Sequence, residues 1–284
     1  MSKEKVFCYF HNDDNDGWAS SAVVKMKYPQ AEFYGYNYEP DLPLVEGYDK
    51  VFMVDCSTTL DNIKYLQKHN KQFILIDHHA RKVKALYESG IKIEGLRDMN
   101  LRYCGCVLTW KYIYPEDEIP ELLLYVQDMD LWKWELEFTD EINTALFCLH
   151  KNRDEIIMIL KSTGWKPSLL GEGTLLIKQR TNEVNFLAST LRKKMFHGYK
   201  TAIVNSPVNT SFVGHKVLED NPDVDIALIW YATKDLIKVS LRSREVDVSA
   251  IAKQYDGGGH KLASGFNMVI GADKFYIDKI IMDD

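Results

Sequence analysis

Phe73–His79 reads FILIDHH, four apolar residues broken off by an aspartate and two histidines. A short apolar run of this kind suits a strand buried on both faces, the sort found in parallel sheets covered by helices. The same grammar recurs on either side. Val51–Val54 (VFMV) ends at Asp55, and Val6–Phe10 (VFCYF) ends at His11, with Asp14 and Asp16 close behind. Glu32–Tyr38 supplies a further strand. Thr59–His69 carries Leu60, Ile63 and Leu66 on one face of an amphipathic helix, and Trp18–Lys27 reads as another helix. Strands alternating with helices predict an α/β fold built on a Rossmann-like, mostly parallel sheet. In such sheets ligands collect beyond the carboxyl ends of the strands. His11, Asp14, Asp16, Asp55, Asp77, His78 and His79 are therefore expected to converge although they lie far apart in the chain.

Downstream, helices are predicted over Cys106–Ile113, Glu121–Gln127, Glu141–Leu149 and Asp154–Leu160. The acids Asp128 and Asp130 follow the second of these and form a fourth polar cluster. Residues 162–173 turn loop-like, and Thr174–Lys194 reads as one long helix. A second αβ pattern follows: strand Thr201–Asn205, helix Phe212–Glu219, a hairpin of Ile226–Tyr231 and Ile237–Arg242, and helix Val248–Gln254 before the loop Gly257–Gly259. The predicted division is a sheet domain over 1–165, a helical connector over 166–196 and a smaller αβ domain over 197–284. The cleft between the two domains is the expected active site.

At 284 residues, two domains are the natural expectation. With 46% hydrophobic and 27% charged residues, the chain can build a sizeable core and is not of disordered composition. No stretch approaches the roughly 18 apolar residues of a membrane span, and the start lacks a secretory signal, so no membrane partner and a cytoplasmic location are expected. Five scattered cysteines suit reduced thiols. A net charge of −6 without any basic run argues against a long duplex or long single strand as partner. A small nucleotide or short oligonucleotide stays open, as does a homodimer.

The chemistry of the converging set is carboxylate oxygen and imidazole nitrogen, with no thiolate. It favours two divalent ions, Mn²⁺ first and Mg²⁺, Co²⁺ or Fe²⁺ after it, over structural zinc. Packed carboxylates repel one another unless cations intervene, and a pair of ions about 3.5–4 Å apart can activate a water and brace a phosphorus under attack. Each piece has a plainer reading. His11–Gly17 (HNDDNDG) could be a solvated turn. Asp55 could cap a helix, and Asp77 could merely orient a core histidine. A calcium-loop reading of Asn12–Val23 fails, because Val23 stands where the bidentate glutamate belongs. Four clusters at equivalent ends decide for a site. Cys104 and Cys106 read as buried thiols, and His69, His150, His197 and His215 as ordinary surface or core histidines. Trp132 and Trp134 read either as packing or as a surface on which a base stacks.

His11/Asp14/Asp16, Asp55 and Asp77-His78-His79 resemble the successive motifs of the DHH phosphoesterase superfamily, and Asp128 resembles its fourth. Val239-Ser240-Leu241-Arg242-Ser243, Asp247, Gly257-Gly258-Gly259-His260 and Ala263-Ser264-Gly265 resemble the companion DHHA1 signature. Together they span nearly the whole chain, in the family's order. Proteins with both parts include nanoRNases, 3′-phosphoadenosine-5′-phosphate phosphatases and cyclic-dinucleotide phosphodiesterases. The resemblance implies that His11 and Asp14 hold one metal, that Asp16, His78 and Asp128 hold the other, and that Asp55 bridges them. It places His79 near the substrate phosphate and Asp77 behind an imidazole.

Two departures stand out. His11 lies only three residues before Asp14, and the fourth motif is Asp128-Met129-Asp130, of which Asp128 is the favoured ligand. In the second domain, glycines without a Cβ let backbone N–H groups approach a phosphate. Arg242, with Ser243 beside it, offers a planar fork, and His260 a further donor. The implied activity is hydrolysis of short oligonucleotides to mononucleotides. A cyclic dinucleotide or bisphosphorylated nucleotide comes next. A RecJ-like exonuclease, a pyrophosphatase and a silent nucleotide sensor fit less well.

Overall fold

A computed structural model describes residues 4–38 and 42–269. The chain divides into two compact units, Met1–Ile177 and Lys178–Asp284. The end of the predicted second domain, 270–284, lies outside the described residues.

The first unit opens with β1 (Val6–His11), α1 (Asn15–Lys27), β2 (Glu32–Tyr36), β3 (Lys50–Val54), α2 (Leu60–His69) and β4 (Phe73–Ile76). The four strands form one parallel sheet in the order β2-β1-β3-β4. Each central strand is apolar at consecutive positions because both faces are covered. Tyr9, Val51, Met53 and Leu75 pack with Ile63 and Leu66 of α2 on one side. Cys8, Phe10, Phe52, Val54, Ile74 and Ile76 pack with Val24 of α1 on the other. Sequence neighbours β1 and β2 pair, but β3 returns to the opposite flank of β1. That reversal of order opens a crevice at the carboxyl end between β1 and β3.

The other helices of the first unit are α3 (Ala80–Glu88), α4 (Gly105–Ile113), α5 (Glu121–Asp130), α6 (Thr139–Leu149) and α7 (Arg153–Lys161), and α8 (Lys166–Ser189) begins in this unit and ends in the second. Helices α1, α4, α5 and α6 share a core through Val23, Val107, Leu123, Val126 and Ile142. Among the described residues no helix is long and apolar enough to cross a membrane.

In the second unit, β5 (Arg192–Phe196), β6 (Tyr199–Asn205), α9 (Thr210–Asp220), β7 (Ile226–Ala232), β8 (Leu236–Ser243), α10 (Val248–Lys253), β9 (Gly258–His260) and β10 (Ala263–Val269) follow. Its sheet runs β5-β6-β7-β8-β10-β9. The long helix starts earlier than the sequence suggests and stops at Ser189, so residues 192–194, expected as the end of that helix, belong to the strand Arg192–Phe196. His197 and Gly198 both have positive φ (50° and 81°), the backbone of a tight hairpin turn, and this turn folds β5 back antiparallel onto β6. The tri-glycine segment also differs from the expected loop. Gly258 and Gly259 lie in an edge strand paired with β10.

Candidate metal centre

Register brings the candidate ligands together. Phe10 pairs with Val54, and Val54 with Ile76, so His11, Asp55 and Asp77 sit side by side at the carboxyl edge. Asp14 caps α1, its side chain accepting from the Gly17 N–H at 2.9 Å. Gly17 permits the sharp entry into that helix, since a Cβ there would stand 1.9 Å from the His11 carbonyl oxygen. Asp16, in the first turn of α1, is buried and points to the N-terminus of α4. It accepts from the Gly105 and Cys106 N–H groups at 2.6 Å each, where the helix dipole favours negative charge. A Cβ at Gly105 would fall 2.6 Å from that of Asp55.

Four overlapping ligand groups result among the described residues. Asp16 meets Cys104 and Cys106, Asp55 meets His78 and His79, and the two groups made of carboxylates with one imidazole are His11, Asp14 and Asp55, and Asp16, His78 and Asp130. His11 Nδ1 is 2.7 Å from Asp14 Oδ2 and 3.5 Å from Asp55 Oδ2. His78 Nε2 stands 3.2 Å from Asp55 Oδ1 and 3.4 Å from both Asp16 Oδ2 and Asp130 Oδ2. Asp55 therefore turns one oxygen toward each of the last two groups. The spacings around His78 exceed a charge-assisted hydrogen bond, ordinarily about 2.7–2.9 Å. They resemble the roughly 3 Å between neighbouring ligand atoms on an ion with bonds near 2.1 Å.

The buried polar atoms test whether cations fit. Both Asp55 oxygens, Asp130 Oδ2 and His78 Nε2 are buried without a hydrogen-bond partner, a costly condition unless a ligand satisfies them. Burial pushes the Asp55 carboxyl well above its usual range, and the charges of Asp16 and Asp14 add to the rise. Asp130 is raised likewise, by burial and then by Asp16. Burial opposes charge on His11, but Asp14 and Asp55 outweigh it and lift the imidazole to about 11. Without metal the site must hold protons in place of positive ions, so divalent cations fit the donor set. The fully buried Asp55 also adopts φ 54°, a strained backbone for a non-glycine residue.

His79 takes a different place. Its Nδ1 lies 2.8 Å from Asp77 Oδ1, and its N–H donates to the same oxygen. Burial disfavours charge on both partners. Their mutual attraction prevails, holding Asp77 below and His79 above the ordinary values.

Asp128 does not join the cluster. Its carboxylate accepts from the Glu135 and Leu136 N–H groups at 3.0 and 3.1 Å and from the Thr139 hydroxyl. Those bonds fasten the turn after α5. Asp130, and not the Asp128 expected from the sequence, groups with Asp16 and His78. Cys104 and Cys106 are fully buried free thiols beside Asp16, 3.4 Å apart at sulfur, and burial holds both protonated.

In the second unit, Arg242 donates to Ser211 Oγ at 2.7 Å and to the Leu241 carbonyl at 2.9 Å. Ser243 is buried, its hydroxyl donating to Val246 O at 2.6 Å, so it shapes the turn before α10. The Gly257 N–H donates to Ala252 O and is not free for a phosphate. Gly259 has φ 138°, a conformation that favours glycine. His260 is exposed at the end of β9. Gly257 lines a cavity of about 460 Å³ with Asn209, Tyr231, Lys238 and Tyr255.

Residues 5–129 match the DHH family N-terminal domain, and residues 183–274 match the DHHA1 domain. The chain belongs to the DHH family. Members of the DHH family are hydrolases that act on phosphoester bonds. It is 29% identical over 228 residues to an uncharacterized protein of Acanthamoeba polyphaga mimivirus, covering 76% of this chain but only 52% of that protein's length. It is 25% identical over 316 residues to Oligoribonuclease NrnB of Bacillus subtilis (strain 168), covering 97% of this chain and 77% of NrnB. The solved structure of the pGpG-specific phosphodiesterase PggH from Vibrio cholerae shares the fold. The TM-score is 0.54 at 12% identity, over 98% of this chain and 96% of that one.

Within this DHH-family site, the backbone amides of Gly105 and Cys106 escaped the sequence reading. Main-chain donors leave no composition signal. A glycine just before the predicted helix Cys106–Ile113 was the trace they left.

Proposed function

We propose that this DHH-family phosphoesterase hydrolyses short oligonucleotides to mononucleotides with two divalent cations, Mn²⁺ foremost. One observation carries the reading: the single buried carboxylate of Asp55 offers an oxygen to each of two ligand groups. His11 and Asp14 would hold one cation, and Asp16, His78 and Asp130 the other. Such a pair supplies an activated water at neutral pH and neutralises charge on the phosphoryl group.

The chain's own groups do the rest. Asp77 fixes the His79 ring through Nδ1, which leaves Nε2 as the nitrogen for a phosphate oxygen. Because Asp77 favours the protonated imidazole, His79 can donate a proton at Nε2 to charge developing on that oxygen. Gly105 and Cys106 keep Asp16 oriented toward His78. In the second unit, Arg242, Gly258, Gly259 and His260 are assigned to a terminal phosphate.

The kinship to NrnB supports an oligonucleotide substrate. The decisive experiment is steady-state hydrolysis with Mn²⁺ across dinucleotides, longer oligonucleotides, 3′-phosphoadenosine 5′-phosphate and cyclic dinucleotides. Highest kcat/KM on linear di- to tetranucleotides is expected. A clear preference for either of the last two substrates would replace this assignment.

A further inference from the structure

The turn after α5 is unusual for what it displays. Trp132 follows Asp130 by two residues, so its backbone lies within about 7 Å of that of Asp130, a member of the ligand group with Asp16 and His78. Trp132 is 43% exposed, although tryptophan is among the side chains most strongly driven from water. Trp134 packs its ring against Trp132 edge to face, centroids 4.8 Å apart at 83°. Both tryptophans have positive φ, 56° and 57°, which costs bulky residues energy and persists only where neighbouring structure enforces it. Asp128 enforces it. The Lys133 N–H donates to its carbonyl, while the Glu135 and Leu136 N–H groups and the Thr139 hydroxyl occupy its carboxylate. One buried acid thus clamps a turn that carries a propped, exposed indole two residues after Asp130.

We propose that Trp132, braced by Trp134, is a platform on which a nucleobase of the phosphoester substrate stacks. A base lies one ribose away from its own phosphorus, so a phosphate drawn to the cation that Asp16, His78 and Asp130 would hold brings its base toward the turn that carries Trp132. Every base has a π-face, so stacking adds affinity without reading sequence. It also favours nucleotides over base-free phosphates. This inference rests on the phosphoesterase reading of the same centre and goes beyond it by making the base a determinant of substrate choice.

The test uses the full-length protein with Mn²⁺ and two substrates, the dinucleotide pApA and its analogue lacking both bases. Trp132→Ala should raise KM for pApA about tenfold with kcat changed less than about twofold, and Trp132→Phe should recover most of the loss. On the abasic analogue, wild type and Trp132→Ala should be equal. Equal losses on both substrates would mean that the ring only supports the fold. No loss on pApA would overturn the platform outright, and a change of oligomeric state without a change of KM would give the ring to a second copy of the chain. Should wild type leave pApA uncleaved, the oligonucleotide reading fails separately. The platform is then judged by tryptophan fluorescence. AMP but not ribose 5-phosphate should quench wild type, and Trp132→Ala should lose most of that quench; an unchanged quench refutes the platform.

Discussion

Asp130 Oδ2 stands 3.4 Å from His78 Nε2, while the neighbouring acid Asp128 spends its oxygens on the backbone of the next turn. The two carboxylates of one short motif therefore have different work. Asp130→Asn should lower bound metal toward one ion per chain and cut kcat by at least two decades. Asp128→Asn should leave metal stoichiometry near two, yet lower the melting temperature by several degrees, since a buried charged acceptor with three donors is worth about 1.5–3 kcal/mol per strong bond. Elemental analysis and thermal unfolding of the two variants, side by side, check this. Interchanged phenotypes would restore Asp128 as ligand.

Metal uptake should release protons. Burial and like charges raise Asp55 and Asp130, and Asp14 with Asp55 holds His11 at about 11, so the metal-free cluster carries extra protons at neutral pH. Calorimetric titration of Mn²⁺ in buffers of different ionisation enthalpy should show at least one proton expelled per chain at pH 7.5. Equal heats across buffers would contradict it.

The same shifts set the pH dependence of the chelated protein. A group whose folded pKa is raised binds more protons when folded, so its contribution is complete below the unfolded value and is lost as pH climbs toward the folded one. For Asp55 and Asp130 the loss begins above about pH 4, and for His11 above about pH 6.5. The melting temperature in chelator should therefore fall between roughly pH 5 and 9, and Mn²⁺ should restore it most at the alkaline end. A chelated protein that grows more stable over that interval would be at odds with this electrostatic picture.

Arg242→Ala and His260→Ala should each lower kcat/KM by about one to two decades, the worth of a charge-assisted hydrogen bond. Neither should alter metal content, because among the described residues every metal-ligand group lies in the first unit. Loss of metal in either variant would break that division of labour.

Substrate length should matter in a particular way. Residues 197–284 carry 10 Lys and Arg against 12 Asp and Glu, so this region has no surplus positive charge to track a long backbone. The kcat/KM should peak at two to about four nucleotides and fall for twenty-mers at low salt. A length series at two ionic strengths measures it. Rising efficiency with length, suppressed steeply by salt, would point to a long-strand nuclease instead.

The first sheet was legible because strands buried on both faces leave unbroken apolar runs, and the polar residue ending each run marks the sheet edge. His11, Asp55 and Asp77 were placed by that signal alone. Asp130 was not, since 128 and 130 lie about 200° apart around a helix. Which one faces His78 depends on how α5 is rotated against its neighbours, and both are plausible from sequence. Residues 192–194 misled for another reason: their arginine and lysines favour helix, and the His197-Gly198 turn is what betrays the hairpin. The tri-glycine segment looked like an open phosphate loop because glycine is read as freedom, whereas pairing with β10 uses it as an edge strand.

The register Phe10↔Val54↔Ile76 makes the strands a ruler. Side chains alternate with a period of two, so deleting one residue inside β3 would not merely shorten it. The residue after the strand would slip along the edge and present the opposite face, leaving Asp55 turned away from both histidines. Inserted residues between β2 and β3, or between α2 and β4, would leave the ruler intact. Chains descended from a common ancestor of this one should therefore differ freely in loop length while their β1, β3 and β4 segments keep a fixed count, a constraint that arithmetic on strand lengths can detect even where identity has decayed.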